Sequence, residues 1–372
     1  MKMLIAGGGT GGHLFPGIAL AEELLGRQSG HQVLFVGTKK GIEAREVPRS
    51  GFALELIEVG QLKGKGVSGW IRGLLSIPRA LWQSLRILRR SQPDVVVGVG
   101  GYASGPVLLV AWLLRYPTAV LEQNALPGMT NRVLGKLVST VFVSFPEAER
   151  FFRRGKVQFL GNPVRKALLD NFLRSNDREV HGQRVLVLGG SQGAEALNRL
   201  VPEAMVLLKE RFPSLQVVHQ AGERSLQEVQ DTYAALGLAD RVEAVGFIRD
   251  MAGAYLKADA VVSRAGATTV AELSLCRKPA VLVPFPFAAD NHQEVNARAL
   301  TEGGAAIMIR QSELTPAGLA SALSGILGDP ARKAAMEQAA GRVSRPESAR
   351  EICEACLELC SPQGGRRRKV GA

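Results

Sequence analysis

The sequence predicts an α/β protein of parallel sheets covered on both faces by helices, an arrangement that occurs twice along the chain. Short runs rich in Val, Ile and Leu alternate with amphipathic, helix-like stretches, the pattern of strands buried on both faces. Two such runs pass directly into glycine-rich turns, at residues 7–13 and 189–194, so each half of the chain opens with the same strand, turn and helix. At roughly 100 to 200 residues per domain, 372 residues accommodate two domains, each with a core of its own.

The elements follow in order. In the first half, apolar runs bounded by Gly, Pro, Asn or Asp predict strands at 2–6, 33–36, 95–99, 118–121, 141–144 and 157–160. In the second half they fall at 184–188, 216–220, 242–245, 260–263 and 280–283, with a last one near 306–309. The turn Gly161-Asn162-Pro163 and the polar stretch 170–183 place the domain boundary within about 163–183. The predicted division is 1–163, 164–345, and a C-terminal helix with a basic, disordered tail at 346–372. Two doubly wound, Rossmann-like halves are expected to bring the carboxyl ends of both sheets to one cleft, with the active site between them.

Composition narrows the function classes. With 46% hydrophobic and 22% charged residues the chain is neither disordered nor fibrous, and its 42 glycines carry no collagen-like period. Four cysteines are too few and too clustered for a secreted disulfide scaffold, and Cys353, Cys356 and Cys360 are spaced to share one helix face rather than to hold a metal. The opening residues read as a buried strand and not as a signal peptide. The longest apolar run, 106–114, stops at Arg115, short of the roughly 20 residues a spanning helix needs.

Gly7, Gly9 and Gly12 satisfy G-x-G-x-x-G between a strand and a helix. The acidic residue that would hold a dinucleotide ribose is missing from the end of the second strand, which reads Val36-Gly37-Thr38-Lys39-Lys40. Of the dinucleotide readings only a 2′-phosphate one, with Lys39 and Lys40 as partners, survives. A glycine-rich turn at a helix amino terminus suits any phosphate or diphosphate, because free N–H groups and the helix dipole converge there; a tight turn without ligand is the bland alternative. His13, at the helix start, is either structural or a neutral general base. In the second half, residues 263–272 turn from a strand into a helix that carries Glu272, suited to accept bonds from a ribose diol. A Pro-rich loop then leads to a helix bearing His292, Gln293 and Asn296, whose amides suit sugar hydroxyls, unless the segment is only a capped helix after a stiff loop.

The ordered set of residues 7–13 with Phe15-Pro16, Gly100-Gly101-Tyr102, Glu122-Gln123-Asn124, Thr130-Asn131, residues 161–165, 189–194 and 264–272, and His292-Gln293 through Asn296 resembles the MurG family. These are peptidoglycan glycosyltransferases that move N-acetylglucosamine from UDP-N-acetylglucosamine to lipid I, making lipid II. The resemblance implies a GT-B fold, an inverting transfer, and neither cofactor nor bound catalytic metal. It implies an acceptor- and membrane-binding first domain and a UDP-sugar-binding second domain. Carried over by position, Phe247 and Ile248 lie near the uracil, Glu272 on the ribose, and Ser191 and Gln192 at the donor diphosphate. Arg165, Ala267, Thr268, His292, Gln293 and Asn296 surround the sugar and phosphates. Thr10, Gly11, Gly12, His13, Tyr102, Ser104, Asn124 and Asn131 hold the acceptor diphosphate side. His13 is the first candidate for the base and Glu122 the second, since a carboxylate needs a raised pKa for that work. His292 stands where some members of the family carry an amide, which puts that sugar contact in question. Other readings are a different UDP-sugar transferase or epimerase of the same fold, and an NADP-dependent oxidoreductase.

The formal charge of +12 is concentrated: residues 61–92 hold Lys63, Lys65, Arg72, Arg79, Arg86, Arg89 and Arg90 and no acid, interleaved with Trp70, Leu75 and Trp82. Such a stretch suits an anionic membrane surface, and the tail residues 366–369 add to the attraction. The competing reading is an amphipathic helix that packs its leucines inward. No aromatic stacking platform accompanies the charge, which argues against nucleic acid. With the resemblance, this implies a peripheral location on the cytoplasmic face of the cell membrane, where proteins of cell-wall assembly are potential partners.

Overall fold

The computed structural model describes residues 1–60, 66–174, 183–190 and 193–361, with the backbone alone along 66–75, 173–174 and at 289. The chain divides into two compact units, Met1–Lys166 with the segment from Pro346 onward, and Ala167–Arg345.

The first unit runs β1 (Lys2–Gly7), α1 (Gly11–Arg27), β2 (Gln32–Thr38), α2 (Glu43–Arg49), β3 (Ala53–Ile57), α3 (Gly66–Ser91), β4 (Val95–Gly100), α4 (Ser104–Leu113), β5 (Thr118–Glu122), α5 (Met129–Leu137), β6 (Thr140–Val143) and β7 (Val157–Phe159). All strands are parallel, in the order β3-β2-β1-β4-β5-β6-β7. Alternation along each strand divides the core into two layers. Leu4, Val36 and Val96 pack with Leu88 of α3, Leu108 of α4 and Leu134 of α5. Met3, Ile5 and Val97 pack with Leu14, Ile18 and Leu24 of α1.

The second unit runs α6 (Lys166–Arg174), which crosses the boundary, then β8 (Arg184–Leu188), α7 (Glu195–Leu208), β9 (Gln216–Gln220), α8 (Leu226–Ala235), β10 (Val242–Val245), α9 (Met251–Lys257), β11 (Ala260–Ser263), α10 (Ala267–Leu275), β12 (Ala280–Leu282), α11 (His292–Thr301), β13 (Ala306–Met308), α12 (Pro316–Leu327) and α13 (Pro330–Val343). Its sheet is parallel in the order β10-β9-β8-β11-β12-β13, and Val185, Val187, Val217 and Val262 pack with Leu197 of α7, Val229 of α8 and Leu323 of α12. Both orders are doubly wound, with the reversal at β1/β4 in one unit and β8/β11 in the other.

The final helix, α14 (Ser348–Cys360), belongs to the first unit and not to an appendage. Ile352, Cys353 and Cys356 are fully buried against α1, where Cys353 donates to Leu20 O, while Arg27 of α1 binds Glu354 at 3.1 Å and donates to Arg350 O. Burying an Ile-sized side chain contributes about 1.5–3 kcal/mol, so this packing, more than the exposed ion pairs, holds α14 in place. The basic tail lies outside the described residues.

Candidate active site

In the first unit the switch point is built by three successive glycines. Gly7, Gly8 and Gly9 take φ of 147°, 137° and 88°, a region that side-chain-bearing residues avoid, and the chain then enters α1 at Thr10 with no acid in its first turn. Gly8 donates to Gly100 O and Gly9 to Glu43 Oε2. Thr10 and Gly12 are exposed, Gly11 and His13 half-buried.

His13 Nδ1 lies 3.1 Å from Gln123 Oε1. The buried Gln123 amide has one orientation available, because its Nε2 donates to Val99 O at 3.0 Å and a carbonyl only accepts. Oε1 must therefore accept from Nδ1–H, which leaves the lone pair of neutral His13 on Nε2. A Cβ at Gly100 would press on the imidazole, so glycine there is needed to seat the ring. Glu122 is buried and spent. Its carboxylate accepts from the Asn124 and Gly128 backbone N–H groups at 2.9 and 3.2 Å and from Asn131 Nδ2 at 2.9 Å. Burial pushes its pKa up, and those donors together with nearby His13 pull it partly back. In this geometry Glu122, with Asn124 and Asn131, organises the loop after β5.

Two residues expected at the ligands also make contacts within the protein. Ser104 is buried, accepts from Gly100 N–H, and shares its proton between Ala6 O at 2.7 Å and Gly100 O at 2.9 Å, bracing the ends of β1 and β4. Arg165, expected in the donor set, belongs to the first unit and stacks over Phe15 at 4.9 Å. Tyr102 is exposed beside the glycine loop's partner strand, on the turn that follows β4.

In the second unit, Gly190 and Gly193 also take positive φ after β8, and Ser191 and Gln192 lie outside the described residues. α10 begins after Gly266, with Ala267 and Thr268 in its first turn and buried Glu272 in its second, where Glu272 Oε2 accepts from Tyr255 Oη at 3.1 Å. Gln293 Oε1 accepts from Ala265 N–H and Phe285 N–H, and Asn296 Nδ2 donates to Ala265 O, so α11 is tied to the turn before α10. His292 opens α11. Phe247, which is exposed, and Ile248 border a cavity of about 450 Å³ beside α9 and the β9–β10 edge.

Several further side chains brace the second unit's turns. Arg264 donates to Val283 O at 3.1 Å and to Gln311 Oε1 at 2.6 Å and stacks on Phe285, fixing the Pro-rich loop. Asn198 donates to Ala221 O and bonds His219 at 3.1 Å, which in turn bonds Tyr233 Oη at 2.8 Å; this network lies under the β8 turn. Burial pushes the His219 pKa down to about 4, so the ring is neutral. Spacing in the sequence carries no signal for either network, since their partners are remote in the chain.

On α3, Leu81 and Leu85 pack inward while Trp82 is 60% exposed with Arg86 over its ring. Arg79 and Arg90 pair with Glu58 and Glu55, and Arg86 and Arg89 are exposed; Trp70, Arg72 and Leu75 fall where the backbone alone is described. The neighbouring α4 and α5 add exposed Trp112, Leu113, Met129 and Val133. Trp112 and Leu113 close the apolar run 106–114, whose inner residues Val107, Leu108, Val110 and Ala111 are core. Among the described residues no helix is long and apolar enough to cross a membrane.

Comparison with known proteins agrees with this architecture. Residues 3–143 match the glycosyltransferase family 28 N-terminal domain and residues 184–352 its C-terminal domain. The UDP-N-acetylglucosamine–N-acetylmuramyl-(pentapeptide) pyrophosphoryl-undecaprenol N-acetylglucosamine transferase of Anaeromyxobacter sp. (strain Fw109-5) is 56% identical over 98% of this chain and 95% of its own. Its namesake from Myxococcus xanthus is 52% identical over 100% and 97%. The crystal structure of Acinetobacter baumannii MurG superposes with a TM-score of 0.75 at 29% identity, covering 96% of this chain and 99% of that one. Two doubly wound units, each with a glycine-rich turn at its switch point, define a glycosyltransferase of the GT-B fold. Near-complete coverage at more than half identity narrows the class further: the chain belongs to the MurG family.

Proposed function

We infer that this protein transfers N-acetylglucosamine from UDP-N-acetylglucosamine to the 4-hydroxyl of the N-acetylmuramyl sugar of lipid I, giving lipid II for peptidoglycan. The 56% identity, over nearly the full length of both chains, to a transferase named for that reaction carries the inference. The reaction is a single inverting displacement. The acceptor oxygen bonds to the anomeric carbon, the bond from that carbon to UDP breaks, and the hydroxyl proton passes to His13 Nε2, whose lone pair the Gln123 bond leaves available. Glu122, with its oxygens already engaged, is the weaker candidate.

The acceptor diphosphate is assigned to the turn at Thr10, Gly11 and Gly12, with Tyr102 beside it; the turn's positive-φ glycines and acid-free helix start support this. The donor is assigned to the second unit, with Glu272 on the ribose, the amino terminus of α10 at Ala267 and Thr268 facing the leaving diphosphate, and Phe247 and Ile248 at the base. The protein is assigned to the cytoplasmic face of the membrane, resting on anionic lipid through Trp82, Arg86, Arg89 and the exposed side chains of α4 and α5.

Calorimetric titration with UDP, UDP-N-acetylglucosamine, UDP-glucose and NADP tests the assignment. Binding of the UDP ligands with preference for UDP-N-acetylglucosamine is the expected result. Binding of NADP with no response to any UDP ligand would make the glycine turns dinucleotide loops and end this reading.

A further inference from the structure

Glu43 is the most completely engaged buried acid in the first unit that the reaction, as proposed, leaves without a task. It is 1% exposed, five residues past the end of β2, yet its carboxylate reaches both that strand end and the glycine turn. Oε1 accepts from Thr38 N–H at 2.8 Å and Thr38 Oγ1 at 2.9 Å; Oε2 accepts from Gly9 N–H at 2.7 Å. A Cβ on Gly8, Gly37 or Gly41 would collide with this side chain, so three glycines from two separate segments make its socket. In a dinucleotide-binding unit the acid near this strand end faces outward to a ribose. Here the acid arrives from further along the chain and is bonded inward.

The turn it touches has much backbone freedom to lose. Gly7, Gly8 and Gly9 are consecutive and left-handed, and glycine loses more backbone freedom on ordering than any other residue. Gly8 N–H donates to Gly100 O, a neutral bond at 3.2 Å, and Gly9 N–H to Glu43, a shorter bond to a carboxylate. We propose that Glu43 is a positioning residue for the acceptor, which pins the glycine turn in the shape that receives a diphosphate. The proposal rests on the assignment of that turn to the lipid I diphosphate. Acceptor binding is then spared the entropy of ordering the turn. Donor binding, assigned to the other unit, is independent of Glu43.

Glu43→Met is the informative variant. Methionine keeps the length but offers no oxygen acceptor, so the Gly9 bond and the Thr38 pair are both lost. In initial-rate measurements with a soluble lipid I analogue, the acceptor KM should rise about tenfold, the cost of ordering roughly one residue. kcat and the UDP-N-acetylglucosamine KM should stay within twofold. A folded E43M with acceptor KM within twofold of wild type, or with losses confined to kcat as fewer active molecules would give, overturns the proposal. A second measurement needs no variant: in the wild-type protein the Gly9 amide should exchange with deuterium far more slowly than that of Thr10, and equal, fast exchange overturns the clamp. If wild type fails to transfer sugar at all, the functional reading falls while the exchange result still decides whether Glu43 holds the turn.

Discussion

Replacing Gln123 with leucine removes the residue that selects the His13 tautomer while keeping its approximate size. Two bonds are lost, Nδ1–H to Oε1 and Nε2–H to Val99 O. At about 0.5–1.5 kcal/mol net for each, stability falls by about 1–3 kcal/mol, and the melting temperature drops about 2–4 °C per kcal/mol in a chain of this size. The catalytic consequence is separable. Without an acceptor for Nδ1–H, His13 loses about 1.4 kcal/mol of support for the imidazolium that forms as Nε2 takes the proton, a tenfold fall in kcat. The KM for UDP-N-acetylglucosamine stays unchanged. The assay is steady-state transfer to a soluble lipid I analogue across pH, with circular dichroism to verify folding. Gln123→Glu sharpens it: a carboxylate still accepts from Nδ1–H but favours imidazolium, which moves the acidic limb of the kcat profile to higher pH. A Gln123→Leu enzyme with lowered melting temperature and kcat within twofold of wild type would show that Gln123 is only structural.

Three further outcomes are expected. Glu272→Gln removes the charge proposed to bind the ribose diol, which at about 1.5–3 kcal/mol for a charged bond weakens UDP by roughly 10- to 100-fold in calorimetry; an unchanged dissociation constant would remove Glu272 from the donor site. His219 is neutral and buried with its pKa pushed from 6.5 to about 4, so as pH falls from 6.5 toward 4 the unfolded chain binds a proton that the folded one refuses. Stability should therefore decline by about 3 kcal/mol across that window and level off below it, and chemical denaturation that shows no decline would contradict this. Trp82→Glu combined with Trp112→Glu should lower the fraction bound to anionic vesicles, more steeply as salt rises, with transfer to a soluble acceptor unchanged; equal binding would move the membrane surface elsewhere.

The sheets were readable because parallel strands buried on both faces are short uninterrupted apolar runs, and the second unit's strands at 184–188, 216–220, 242–245 and 260–263 fall where those runs do. β3 escaped because Ala53-Leu54-Glu55-Leu56-Ile57 lies at a sheet edge, where one face meets water and the run is broken by an acid. Glycine turns announce themselves locally; what holds them does not. Glu43 meets Gly9 across 34 residues and Gln123 meets His13 across 110, pairings that no spacing rule encodes. For the same reason the bonds of the Ser104 hydroxyl across the β1–β4 junction are visible only in the fold. The stacking of Arg165 on Phe15 likewise joins residues 150 positions apart and is visible only in the fold.

Incubating the wild-type protein with labelled UDP-N-acetylglucosamine and a lipid I analogue, then determining the product's linkage by NMR, would test the proposed chemistry at its core. A β-linked N-acetylglucosamine on the muramyl 4-oxygen, formed with stoichiometric release of UDP, is the predicted result. Release of UDP with free or epimerised sugar and no labelled lipid would contradict it.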